Sequence, residues 1–414
     1  MDAGSRRMIS SPLLLMTLAL LHQQCSGAWA FSPIGAAPPT TPSHRLGLRA
    51  VCRSSLVPLD YEGATGQITG VLAALGGNRG GPGGDAMGAG GRWELDGQTG
   101  AWMLLPPQTP FAVVHFIGGA GFGTYPRLAY ASLLERVVER SGGGLAVVAV
   151  PFDAGLAHGK IAAASVATFN DVFSRIAERE LWPTATLRTF RLGHSLGAKL
   201  HVLNVPAYLA STSPSAAGPA EIGVLAFNNF ALQDSISQAV AFLEALGAGG
   251  GAMDFGGFQK SLVDFATMAV AASGIEFDPG PEATRTLLAQ LSAADAAVTA
   301  FRFSDDDLDS SDDLRALGTQ SFRAQRRRVS EEGAVEFVEL QGGHLTSIFV
   351  KVSASDVAAN SVAPEIIAPL LDANGAFSFG SEELLDETAD AIVAWIVPSK
   401  SRSRKPPALS ASVE

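Results

Sequence analysis

Gly193-His194-Ser195-Leu196-Gly197 is a G-x-S-x-G pentapeptide between a short strand-like run and a helix-like run. That context turns a common pattern into a tight turn that presents a serine hydroxyl at the end of a strand. The flanking glycines fit such a turn, because a strand reversing into a helix leaves almost no room for a side chain beside it. A serine hydroxyl is a weak nucleophile. It needs a base, an acid to orient that base, and donors for a developing oxyanion.

The chain has seven histidines. His344, in Gln341-Gly342-Gly343-His344-Leu345-Thr346, directly follows the strand-like run Val335 to Leu340 and is the candidate base. His115 lies inside a buried-strand pattern, His194 points elsewhere than its neighbour Ser195, and His201 is off the Ser195 face of the following helix. His158 follows a different strand end and is a candidate substrate contact.

For the acid, Phe303-Ser304-Asp305-Asp306-Asp307-Leu308-Asp309 begins where the penultimate strand should end. Asp306 is preferred, standing three residues past that end with the apolar Leu308 two beyond it; Asp305 and Asp307 stay open. A calcium loop starting at Asp305 would put Ser310 where glycine is needed and Ala316 where the bidentate glutamate belongs, so that reading fails. The oxyanion donors should be the Leu196 amide and one from the glycine-rich turn after Ile117, Gly119 or Ala120. As a dinucleotide fingerprint the same turn fails: its third glycine is misplaced and no acid ends the next strand.

These residues need a frame. Phe111 to Ile117 and Leu145 to Val150 are continuous apolar runs, as parallel strands buried on both faces require. Leu187 to Leu192, Ile222 to Phe227, Ala297 to Phe303 and Val335 to Leu340 continue the series. Helical spacing lies between them at Pro126 to Arg140 and Ala162 to Arg179, with a last amphipathic helix at Glu382 to Val397. Arg92 to Leu95 and Ala101 to Leu105 form a hairpin pattern ahead of them. Alternating strands and helices imply a mostly parallel central sheet with helices on both faces. The order Ser, acid, His, with each candidate at a strand end, predicts an α/β-hydrolase fold. The alanine- and phenylalanine-rich stretch 230–296 breaks the alternation and is expected to be a helical cap insertion. The glycine-rich 76–91 reads as a flexible surface loop and 399–414 as a disordered basic tail, leaving 58–398 as the main domain.

Of the 414 residues, the first 57 hold five arginines and one aspartate. That leader is therefore at +4 and the remainder at −15, for a net −11, a body that should repel nucleic acid. Both cysteines, Cys25 and Cys52, lie in the leader. Arg6 and Arg7, the apolar run Leu13 to Leu21 and Ala28-Trp29-Ala30 have signal-peptide order. Phe31 and a Ser/Thr/Pro/Arg-rich stretch without acid until Asp60 follow, with transit-peptide composition. Together they resemble the bipartite leaders of secondary plastids; the alternative is secretion.

The segments FIGGAGFGTYPRLAYASLLERV, GHSLGAKLHVLN, VLAFNNF, IEFDPGPEATRTLL and FRFSDDDLD resemble domain-of-unknown-function family 1350, a plant, algal and cyanobacterial α/β-hydrolase-like group. The resemblance covers most of Phe111 to Trp395 and implies the fold and a plastid setting, but no substrate. The expected activity is a serine hydrolase acting on a small-molecule or lipid-like ester or thioester through Ser195, His344 and Asp306. A non-catalytic binding or scaffold protein and an acyltransferase are the alternatives. Nothing in the residues calls for a metal or organic cofactor, and any membrane contact is expected to be peripheral.

Overall fold

The computed structural model describes residues 87–88, 91–210, 220–236, 274–291, 295–317, 335–353 and 376–397. The expected leader, the basic tail and most of the expected cap, 237–273, lie outside the described residues.

Two antiparallel strands, β1 (Met87–Gly88) and β2 (Gly91–Leu95), lead into β3 (Trp102–Leu105). β1 pairs with β2, so the end of the glycine-rich stretch read as a surface loop instead adds a short edge strand. Gly91 has φ 151° with its position crowded by the Leu105 carbonyl, so only a glycine lets the hairpin start there. The chain continues through β4 (Ala112–Ile117), α1 (Pro126–Arg140), β5 (Leu145–Ala149), α2 (His158–Arg179) and β6 (Arg188–His194). Next come α3 (Leu196–Leu203), α4 (Val205–Ala210), β7 (Ala220–Leu225), α5 (Pro281–Gln290), β8 (Ala296–Phe303) and β9 (Val335–Leu340). A separate antiparallel pair, β10 (Val350–Ser353) with β11 (Ala376–Phe379), precedes α6 (Glu382–Ile396).

The main sheet has the order β1-β2-β3-β5-β4-β6-β7-β8-β9. Pairing is antiparallel from β1 to β3 and between β3 and β5, and parallel from β5 through β4 to β9. This order, with a strand-turn-helix carrying the serine after the sheet's central crossover, is the α/β-hydrolase fold.

The period of two along each strand sends neighbours to opposite layers. Val114, Phe116 and Val147 pack with Leu133, Leu134 and Val137 of α1 and with Leu385, Ala389 and Ile392 of α6. Val113, Ala146 and Val148 face Phe169, Val172 and Ile176 of α2, whose spacing of three, four and seven gives one apolar stripe. Fully burying each such side chain stabilises by roughly 1.5–3 kcal/mol. Pro126 starts α1 where a missing N–H is harmless, and Ser381 Oγ accepts the Leu384 amide at 3.4 Å to cap α6.

Register does the positioning. Ile117 of β4 lies opposite Gly193 of β6, so the turn after β4 and Ser195 leave the same edge side by side. Phe303 of β8 lies opposite Leu340 of β9, which brings the Asp306 and His344 loops out together.

Candidate active site

Ser195 sits between β6 and α3 with φ 54° and ψ −116°. A non-glycine residue in that region carries backbone strain of roughly 1–3 kcal/mol, sustained only when the surroundings fix it. The surroundings do: the Ser195 amide donates to the Leu225 carbonyl at 2.9 Å. A Cβ at Gly197 would meet the Ile117 carbonyl oxygen at 2.1 Å, and one at Gly193 would meet the Ala198 nitrogen at 2.5 Å. The flanking glycines are therefore what let strand and helix close on the turn.

His344 Nε2 stands 2.9 Å from Ser195 Oγ, and Nδ1 stands 3.0 Å from each oxygen of Asp306. The Asp306 carboxylate is 0% exposed and the imidazole 13%. Since a carboxylate only accepts, Nδ1 carries the proton that faces Asp306, and Nε2 is left to accept from the serine hydroxyl. Asp306 Oδ1 also takes the Leu308 amide at 2.9 Å, while the Asp305 amide donates to the Gly342 carbonyl at 2.8 Å, tying the two loops together. Asp305 and Asp307 have exposed side chains, and Asp306 alone of the three bonds to the imidazole.

Of the three amides expected as oxyanion donors, one has an acceptor within the protein. The Gly119 amide donates to the Tyr130 hydroxyl at 2.8 Å, so it is already committed. Among the described residues no acceptor is bonded to the Ala120 or Leu196 amide, and these two are the free pair beside Ser195. Gly119 still matters sterically, because a Cβ there would lie 3.2 Å from Ser195 Cβ and 3.0 Å from His194 Nδ1.

Sequence reasoning missed Tyr130 and His194. Tyr130 is completely buried on α1, and its hydroxyl lies 2.9 Å from His194 Nδ1. His194 Nε2 lies 2.8 Å from the His344 carbonyl oxygen. A carbonyl only accepts, so Nε2 is protonated, Nδ1 accepts, and the tyrosine hydroxyl donates to it while accepting from Gly119. Burial, reinforced by the neighbouring His344, pushes His194 down to about 3, which keeps it neutral; burial likewise raises the Tyr130 phenol. The chain from Gly119 through Tyr130 and His194 to His344 joins the glycine-rich turn after β4 to the loop after β9. The available signal was a histidine at the buried end of a strand, which needs partners; nothing in the pattern marked Tyr130.

His158 is not brought to this chain of groups. It is buried at the start of α2, its ring stacked on Phe277 at 4.1 Å, and burial with nearby Lys199 pushes it down to about 3. Among the described residues, no group of three His, Cys, Asp or Glu side chains could hold a metal ion, and no helix is long and apolar enough to cross a membrane.

The family model described as "Protein of unknown function (DUF1350)" matches residues 94–361. The chain belongs to the DUF1350 family. That match takes in Ser195, Asp306 and His344 in this DUF1350 protein. No curated protein matches it in sequence. Among solved structures it is similar to the thioesterase domain from the curacin biosynthetic pathway, at 15% identity, covering 65% of this chain and 96% of that one, with TM-score 0.33. It is also similar to the fluorophosphonate-binding serine hydrolase F of Staphylococcus aureus, at 12% identity, covering 74% and 97%, with TM-score 0.32. A third is carboxyl esterase 2 of Tuber melanosporum, at 14% identity, covering 74% and 88%, with TM-score 0.38. The fold of the DUF1350 protein is read from its own strand order and serine turn.

Proposed function

We propose that this protein is a serine hydrolase that cleaves a carboxylic ester or thioester through an acyl-enzyme. The observation that carries the reading is His344 between Ser195 Oγ at 2.9 Å and both oxygens of the unexposed Asp306 at 3.0 Å. His344 Nε2 takes the proton as Ser195 Oγ attacks the carbonyl carbon. The Ala120 and Leu196 amides bind the oxygen that becomes negative, and Nε2 returns the proton to the leaving alcohol or thiol. Water, deprotonated by the same nitrogen, then releases the acid. Asp306 holds the imidazole in the required tautomer and stabilises its charged form.

The test is turnover of 4-nitrophenyl butyrate by the protein lacking residues 1–57 and by its Ser195→Ala variant. A burst of nitrophenol equal to the enzyme concentration, absent in the variant, supports the acyl-enzyme. Equal turnover by both proteins contradicts it. The leader supports a further proposal, a plastid destination, checked by whether residues 1–57 carry a fluorescent reporter there in an alga with secondary plastids.

A further inference from the structure

Lys199 lies four residues beyond Ser195 on α3, about 6 Å along the axis and on the same side of the helix. It is 1% exposed, and among the described residues its ammonium has no hydrogen-bond partner. Two neighbours share that condition. His158, 2% exposed, has neither ring nitrogen bonded, and Asn229, 3% exposed, has its side-chain oxygen unbonded. One short segment touches all three. Phe277 stacks on His158 and lies 5.7 Å from Lys199 Nζ, while the Pro281 carbonyl accepts from Asn229 Nδ2 at 3.1 Å. The loops after β5 and β7 that bring in His158 and Asn229 leave the same sheet edge as Ser195, where ligands bind in open parallel sheets.

Nearby carboxylates leave Lys199 Nζ, the His158 ring nitrogens and Asn229 Oδ1 unbonded. Glu276 Oε1 accepts the Leu232 and Phe277 amides at 2.8 Å each, and Asp313 Oδ2 accepts from Asn229 at 2.8 Å and Arg285 at 3.1 Å. Burial pushes the Lys199 ammonium down to about 8, even with both carboxylates close enough to raise it. A buried, unpaired ammonium is destabilising for the fold alone, so a ligand acceptor at that point is its natural complement.

The set contains both kinds of group. Lys199 offers donors, neutral His158 offers one donor and one acceptor, and Asn229 Oδ1 offers an acceptor. An anion would supply acceptors only and would come up against Glu276 and Asp313. A hydroxyl accepts from one group while donating to another. We infer that Lys199, His158 and Asn229 form a subsite for a hydroxyl-bearing part of the substrate, a polyol or sugar moiety of the ester that Ser195 cleaves. This inference takes its reaction from the serine hydrolase reading; the subsite itself can be tested without turnover.

Lys199→Met keeps the length of the side chain and removes its donors. Three butyrates are compared: those of 4-nitrophenol, glycerol and glycolate. The ratio of kcat/KM for the glycerol ester to that for the nitrophenyl ester should fall about 10- to 100-fold in Lys199→Met, the effect of losing a hydrogen bond to a charged group. Lys199→Gln, which retains a donor, should recover part of it. An unchanged ratio overturns the subsite, and a selective loss on the glycolate ester replaces it with an anion subsite. If no ester is turned over and no serine probe reacts, the hydrolase reading fails separately. Calorimetric titration with methyl galactoside and with succinate then decides the subsite: galactoside binding lost in Lys199→Met supports it, and no galactoside binding, or succinate binding lost in that variant, overturns it.

Discussion

The Tyr130 hydroxyl donates to His194 Nδ1 across 2.9 Å while accepting the Gly119 amide at 2.8 Å. One phenol thereby links the turn that carries Ala120 to the histidine that holds the His344 carbonyl. Tyr130→Phe leaves the Gly119 amide and His194 Nδ1 buried and unpaired, which should cost about 1–3 kcal/mol of stability. Its diagnostic effect is kinetic: at a temperature where the variant is folded, kcat should fall more than KM changes, because the base loop and the oxyanion turn lose their common brace. A variant with lower melting temperature and wild-type kcat would reduce Tyr130 to a packing residue.

Asp306→Asn should lower kcat by about 10⁴, since an amide stabilises the wrong imidazole tautomer and no developing charge. Asp307→Asn, on an exposed side chain, should stay within a factor of about two in kcat/KM. Ester kinetics on the two variants check this, and equal losses would mean that the acidic turn acts as a field and not through one residue.

Stability should fall on acidification. His158, His194 and His201 are each pushed down to about 3 by burial first of all, against an ordinary value of 6.5. Between those limits the unfolded chain binds protons that the folded one does not, so stability is complete above about pH 6.5 and is lost progressively toward pH 3. Each histidine contributes a slope of up to about 1.4 kcal/mol per pH unit. Urea unfolding at pH 7.5, 6.5 and 5.5 should show a loss involving more than one proton; a flat or rising stability would contradict the buried neutral histidines.

Two glycines near Ser195 should fail differently. Gly197→Ala drives a methyl into the Ile117 carbonyl at 2.1 Å, a backbone clash that should destabilise the fold by at least about 1–3 kcal/mol. Gly119→Ala puts a methyl 3.2 Å from Ser195 Cβ and 3.0 Å from His194 Nδ1, contacts that shift of a few tenths of an ångström relieves. It should fold and lose activity by about 10-fold or more, since small displacements of reacting groups are costly. Circular dichroism melts with ester kinetics separate the two, and wild-type kinetics in Gly119→Ala would contradict the tight approach.

The sheet and the Ser195, Asp306 and His344 positions were legible because each rests on a local signal: apolar runs for β4 and β5, a glycine-flanked serine, and charged or histidine loops at strand ends. What stayed hidden depends on tertiary partners. Nothing local announces that the Gly119 amide is taken by a tyrosine eleven residues on, or that Lys199 is buried without an acceptor. Four-residue strands such as β10 and β11 carry too little pattern to be told from loop. The start of α2 was missed by four residues, because Gly159 and Lys160 break its apolar spacing and helix ends are weakly encoded.

The proposed hydrolysis stands on Ser195 as a nucleophile activated by His344. Incubating the protein lacking residues 1–57 with a fluorophosphonate probe, then mapping the adduct by peptide mass spectrometry, tests it most directly. A single adduct on Ser195 is expected, absent from Ser195→Ala and slowed by about 10⁴ or more in His344→Ala. Folded wild-type protein that takes up no probe, or that carries it on another residue, would rule out Ser195 as the activated nucleophile.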